Sequence, residues 1–92
     1  MGVPGKVNIM GLEFSVEEVE CVDKSDPSDG MIDFASQVIR IDRALGDAAK
    51  EQTFLHELVH GILGQLKYDE QNGDERLVQG LAIGLHQALY NL

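Results

Sequence analysis

Apolar and polar positions alternate through the first half of the chain, then recur every three or four residues through the second. Lys6 to Ile9, a turn at Met10-Gly11, and Leu12, Phe14 and Val16 on alternate positions predict a β-hairpin. The alternation slips at Glu17-Glu18 before Val19 and Cys21, the mark of a β-bulge. Lys24 to Gly30 is a polar stretch dense in turn formers. Ile32 and Phe34, a turn around Ala35-Ser36-Gln37, and Ile39 and Ile41 predict a second hairpin. Its strongest strand is the β-branched run Val38-Ile39-Arg40-Ile41.

The period then changes. Asp47 is a candidate N-cap, and Leu55, Leu58, Val59, Ile62, Leu63 and Leu66 at i, i+3, i+4 spacing predict a helix from about Ala48 to Leu66 or Tyr68. Asp69 to Gly73 forms a connection. Leu77, Val78, Leu81, Ala82, Leu85 and Leu89 mark a second helix, and so short a link predicts an antiparallel helix pair. Gly61, Gly64, Gly80 and Gly84 each weaken an isolated helix by up to ~1 kcal/mol, so some are expected where backbones approach closely. No repeat, low-complexity tract or internal boundary interrupts residues 1–92. The expected fold is a single α+β domain: a small antiparallel sheet of three or four strands in two hairpins, followed by a two-helix hairpin.

The first helix carries His56-Glu57-Leu58-Val59-His60. Residues four apart lie about 40° apart around a helix axis, one turn up, so both imidazoles can address one cation. Zn²⁺ accepts such nitrogens and keeps a position for water. Glu57, on the adjoining flank, is placed to take that water's proton. HExxH arises by chance in well under ~1% of chains this short. Here it sits on a core-forming helix and holds two of the three histidines.

A catalytic zinc takes a third protein ligand. The extension HExxHxxGxxH is not met, because Leu63 stands at the glycine position and Leu66 at the third histidine. A carboxylate from the second helix is the other route, and Glu75, sharing a face with Val78 and Ala82, is the first choice. Asp69, Glu70, Asp74 and His86 compete. Asn72-x-x-Glu75 also reads as a capping box, and an acid suits a first helical turn in any case.

Charge narrows the partners. Sixteen acidic against seven basic residues give a formal net charge of −9, which argues against nucleic acid or an anionic membrane as partner. Cys21 is the single cysteine. It allows no internal disulfide, fits a reducing cytoplasm, and is read as a half-buried strand residue. Neither a signal-peptide pattern at the start nor a stretch of membrane-spanning length is seen, so a cytoplasmic protein is expected.

On these residues the chain resembles the small zincin-like metallopeptidases of the ImmA/IrrE type and their phage- or mobile-element-encoded relatives. Gly30-Met31-Ile32-Asp33-Phe34 and Gln37-Val38-Ile39-Arg40-Ile41-Asp42 are similar to the strand pair before the active helix. Thr53 to His60 resembles the family pattern T-x-x-H-E-L-x-H. Glu75-x-x-Val78-x-x-Leu81-Ala82-x-x-Leu85 is similar to E-x-x-A-x-x-F-A-x-x-L, with Val78 and Leu81 in place of Ala and Phe. The link from His60 to Glu75 is shorter than in larger members. The resemblance implies a minimal zincin-like fold, Glu75 as third ligand beside His56 and His60, and limited cleavage of an intracellular protein such as a phage-type repressor.

The expected activity is therefore zinc-dependent peptide hydrolysis with Glu57 as general base, Mn²⁺ and Fe²⁺ being open to the same donors. An extended substrate is expected to add to an edge strand at Val38 to Asp42. Arg76, Tyr68, His86 and Tyr90 are candidates to stabilise the oxyanion, and Asp33, Asp42 or Asp74 to hold the imidazoles from behind. The competing expectation is a metal-binding interaction module that cleaves nothing.

Overall fold

Two left-handed residues close the first hairpin. Met10 (φ 50°) and Gly11 (φ 94°) form its turn, as a two-residue type I′ connection requires, and Asn8 Oδ1 accepts from the Gly11 N–H at 2.9 Å. This places Ile9 opposite Leu12. The computed structural model of the chain describes residues 2–20 and 29–90. Among them are four strands, β1 (Lys6–Ile9), β2 (Leu12–Val19), β3 (Gly30–Asp33) and β4 (Val38–Asp42), then α1 (Asp47–Gln65), a single turn α2 (Asp69–Asn72) and α3 (Glu75–Tyr90). Cys21 and residues 24–28 lie outside the described residues.

Both hairpins form, but the sheet is mixed rather than antiparallel throughout. Its order is β1-β2-β4-β3, with β2 and β4 parallel from Ser15 opposite Val38 to Val19 opposite Asp42. The segment between β2 and β4 contains β3 and is long enough for a parallel crossover. Burial explains the order. Ile39 and Ile41 are fully buried, so β4 takes an interior position, while β3, with Gly30 at one end and Asp33 at the other, takes the edge. The expected edge strand at Val38 to Asp42 is therefore corrected to β3.

The expected bulge is also absent. The β2–β4 register runs on past Glu17, and Glu18 falls on the same face as Phe14 and Val16. That inward acid is met by Lys50 of α1, Nζ to Oε1 2.7 Å. An ion pair at the sheet's end accounts for the broken alternation.

The two long helices follow the apolar period, with their ends displaced. The N-cap of α1 is Gly46, which offers no side-chain bond. Asp47 is the first helical residue instead, where its charge suits the helix dipole. Lys67, at φ 64°, turns the chain out of α1. Asp74 caps α3, its Oδ1 accepting from the Leu77 N–H at 3.1 Å, so the competing reading of Asn72 and Glu75 as a capping box is not met.

The sheet, α1 and α3 form successive layers. α1 lies across one face of the sheet, and α3 packs against α1 and α2 rather than against a strand among the described residues. The core joins Ile9, Phe14, Ile39 and Ile41 to Phe54, Leu55 and Ala82. Gly61 and Gly64 let α1 approach the sheet. A Cβ at Gly61 would lie 2.8 Å from Ile9 Cδ1, and one at Gly64 would lie 2.8 Å from Phe34 Cζ. The close approach expected of some of the four glycines is thus made by Gly61 and Gly64, while Gly80 and Gly84 have nothing within 4 Å of that position among the described residues. The sheet's other face carries the ion pairs Lys6–Glu13, Arg40–Glu17 and Arg40–Asp33. No helix among the described residues is long and apolar enough to cross a membrane.

Candidate metal centre

α1 presents His56 and His60 to α3, and Glu75, the first residue of α3, meets them both. His56 Nε2 lies 3.0 Å from Glu75 Oε2, and His60 Nε2 lies 3.0 Å from Glu75 Oε1. Ligand atoms of the three residues lie within 4.8 Å of one another. Two ligands held 2.0–2.1 Å from a tetrahedral ion are about 3.3 Å apart, so the spacing fits a small cation. The junction is open on one side: the Glu75 side chain is 64% exposed, those of His56 and His60 only 20% and 16%.

The far nitrogens are held as well. Gln79 Oε1 lies 2.7 Å from His56 Nδ1, and Asn72 Oδ1 lies 2.7 Å from His60 Nδ1. As these amides are oriented, each imidazole meets an acceptor at both nitrogens, yet a neutral imidazole has one N–H. With that N–H at Nδ1, each Nε2 lone pair faces a carboxylate oxygen at 3.0 Å. Such a contact becomes attractive when a proton or a metal cation lies between them.

Glu57 sits beside this junction and is 7% exposed. Burial pushes its carboxyl above the usual range, and the Glu75 charge adds to the effect, while His56 and His60 oppose it. It lines a cleft of about 250 Å³ that His56 and Gln79 also border.

Comparison of the chain with protein-family models, with curated proteins and with solved structures finds no match. The chemistry of the site therefore stands on its own geometry.

Of the competing third ligands, Glu75 alone joins the two imidazoles among the described residues. The expected outer partners are engaged elsewhere. Asp33 Oδ1 accepts from the Ala35 and Ser36 N–H groups, and a side-chain bond from Ser36, followed by these backbone bonds, holds its carboxyl below the usual range. Asp42 Oδ1 accepts from the Ala44 N–H, and Asp74 caps α3. Asn72 and Gln79 take their place. The signal for them was spacing, since residues 72, 75 and 79 recur at i, i+3, i+7, but the capping-box reading absorbed Asn72.

Two oxyanion candidates are also committed elsewhere. His86 Nε2 lies 2.9 Å from Glu51 Oε1, both side chains only 10% exposed, and the His86 ring stacks on Tyr90 with centroids 5.1 Å apart. Burial, with the Glu51 charge second, raises the Tyr90 phenol. Tyr68 and Arg76 are exposed, and both flank the α2 turn that leads into Glu75.

Proposed function

We propose that the chain is a zinc-dependent metallopeptidase in which His56, His60 and Glu75 hold the metal and Glu57 is the general base. The observation that carries this reading is the convergence of two Nε2 atoms and one carboxylate from separate helices, with a buried acid alongside. Two imidazoles and a carboxylate suit zinc with one side left open, and the same donors accept Mn²⁺ or Fe²⁺. When bound, zinc would polarise the scissile carbonyl and lower the pKa of a water towards 7.

The chain's own residues do the rest. Glu57 takes a proton from the attacking water and passes it to the leaving amine, work that favours a carboxyl whose pKa is raised. Asn72 and Gln79 keep both imidazoles turned so that Nε2 faces the junction. Among the described residues β3 pairs with no strand other than β4, and an extended substrate is proposed to add at this edge. Tyr68 and Arg76 are the remaining candidates to meet the oxyanion. The resemblance to ImmA/IrrE-type peptidases supports a cytoplasmic setting and a protein substrate cut at few places, such as a phage-type repressor.

Metal analysis of the purified chain, followed by comparison of wild type with Glu57→Gln on a proteome-derived peptide library, tests this. The variant should retain the metal and lose cleavage. Equal cleavage by both proteins, or a wild-type chain that retains no divalent metal, overturns the reading.

A second reading rests on a different surface. Leu77, Leu81, Leu85 and Leu89 lie roughly half exposed along α3, an apolar flank that favours a binding module using zinc only to join its helices. Under that reading metal removal abolishes folding, and no peptide is cut under any condition.

A further inference from the structure

The cleft beside Glu57 has a direction. His56 and Glu57 form one end, and Gln52 and Ala49 lie one and two turns earlier on α1. At 1.5 Å per residue the cleft runs about 10 Å away from the metal junction. Gly30 of β3 lies against Thr53 and Glu57 and lines the cleft with them. A Cβ there would lie 2.5 Å from Thr53 Cγ2 and 3.5 Å from Glu57 Cγ, so only glycine leaves this wall in place. A substrate crossing the metal junction would send one side chain, from a residue next to the scissile bond, down this channel.

The chemistry of the walls selects that side chain. Ala49, Gly30 and the Thr53 methyl give the cleft an apolar stretch that suits a methylene stem. Asp29 brings a carboxylate and Gln52 an amide, while among the described residues no lysine or arginine lines the cleft. The nearby cations are engaged: Lys50 with Glu18, Arg40 with Glu17 and Asp33, and Arg43 with Glu20. In a chain of net charge −9, no ion pair among the described residues involves Asp29.

We propose that this cleft receives a lysine or arginine side chain of the substrate, its stem along Thr53 and Ala49 and its charged head on Asp29. The placement next to the scissile bond rests on the peptidase reading; the preference for a cation does not.

Two measurements separate these claims. The ¹⁵N-labelled chain is titrated with the acetylated amides of arginine, norleucine and glutamate while the backbone signals of Gln52 and Thr53 are followed. Arginine should saturate them at a concentration at least about tenfold below norleucine, the scale of one charge-assisted hydrogen bond. Glutamate should leave them unmoved. Asp29→Asn should remove most of arginine's advantage while leaving norleucine binding in place. Equal affinity for arginine and norleucine, no shift with any probe, or an unchanged preference in Asp29→Asn overturns the proposal.

In parallel, the metal-loaded chain is incubated with a mixed peptide library. Cleavage with no enrichment of basic residues beside the cut overturns the cleft's role and leaves the peptidase reading intact. Arginine preference in binding without any cleavage supports the cleft and counts against the peptidase.

Discussion

The helix pair α1–α3 carries histidine and glutamate at both ends, with opposite outcomes. At one end Glu75 lies between two imidazoles whose other nitrogens are held by Asn72 and Gln79, and its side chain stands largely in solvent. At the other, His86 meets Glu51 alone, both nearly buried, with Tyr90 stacked on the ring. A carboxylate shared by two Nε2 atoms leaves a gap that a cation can fill. A single His–Glu contact fills its own gap. The same two residue types thus build a candidate binding site where a second imidazole and an opening to solvent are present, and a structural tie where both are missing.

The largest effect should come from removing the shared acid. Glu75→Ala should weaken zinc retention by at least ~100-fold, beyond the range typical of outer-partner loss, and abolish peptide cleavage. Dialysis against a graded chelator measures it. His86→Ala should leave zinc affinity within a few-fold of wild type but lower the unfolding free energy by about 3 kcal/mol, since it strands the Glu51 carboxylate in a buried site. Urea unfolding reads that loss. Glu51→Leu combined with His86→Leu should recover much of it, because a well-packed apolar pair needs no counter-charge. Should His86→Ala release the metal as Glu75→Ala does, the contrast between the two ends fails.

A smaller effect is expected behind the imidazoles. Asn72→Ala and Gln79→Ala should each raise the zinc dissociation constant by ~10- to 100-fold without unfolding the chain. Isothermal titration of zinc into the stripped proteins measures it.

The smallest effect concerns Glu57 in the metal-free chain. Its folded-state pKa is raised above the ordinary 4.5, chiefly by burial, so the folded state holds that proton more tightly than the unfolded one. The stability this contributes is fully present below pH 4.5 and is lost as pH rises through the raised value. Metal-free Glu57→Gln should therefore be more stable than wild type at neutral pH, with an advantage that shrinks as pH falls through the raised value towards 4.5. Thermal unfolding across that range tests the sign; an advantage independent of pH would mean that ionisation is not its source.

Local rules carried much of the fold. The Met10-Gly11 turn and the turn over residues 34–37 could be read because hairpin register depends on the conformations of a few adjacent residues. Both long helices could be read because one apolar stripe repeats through each. What escaped were pairings between distant segments. The inward Glu18 looked like a bulge because its partner, Lys50, lies on another element. Asp74 and Asn72 exchanged roles because either side chain can cap a helix, and only the approach of His60 decides which one is needed elsewhere. His86 stood as an oxyanion candidate because nothing near it in the chain announces Glu51.

By itself, the amino-acid sequence determined that His56 and His60 share one face of a helix with Glu57 on its flank, since helical periodicity is a property of consecutive residues. It also determined the two hairpins and the apolar faces that bring α1 onto the sheet and α3 onto α1. Tertiary structure decided that β4 lies inside the sheet parallel to β2, that β3 forms the edge beside the cleft, and that Glu75, Asn72 and Gln79 converge on the two imidazoles. Those arrangements depend on how buried faces close over one another across many residues. That closure is set by the packing of the whole core, which no short stretch of sequence contains.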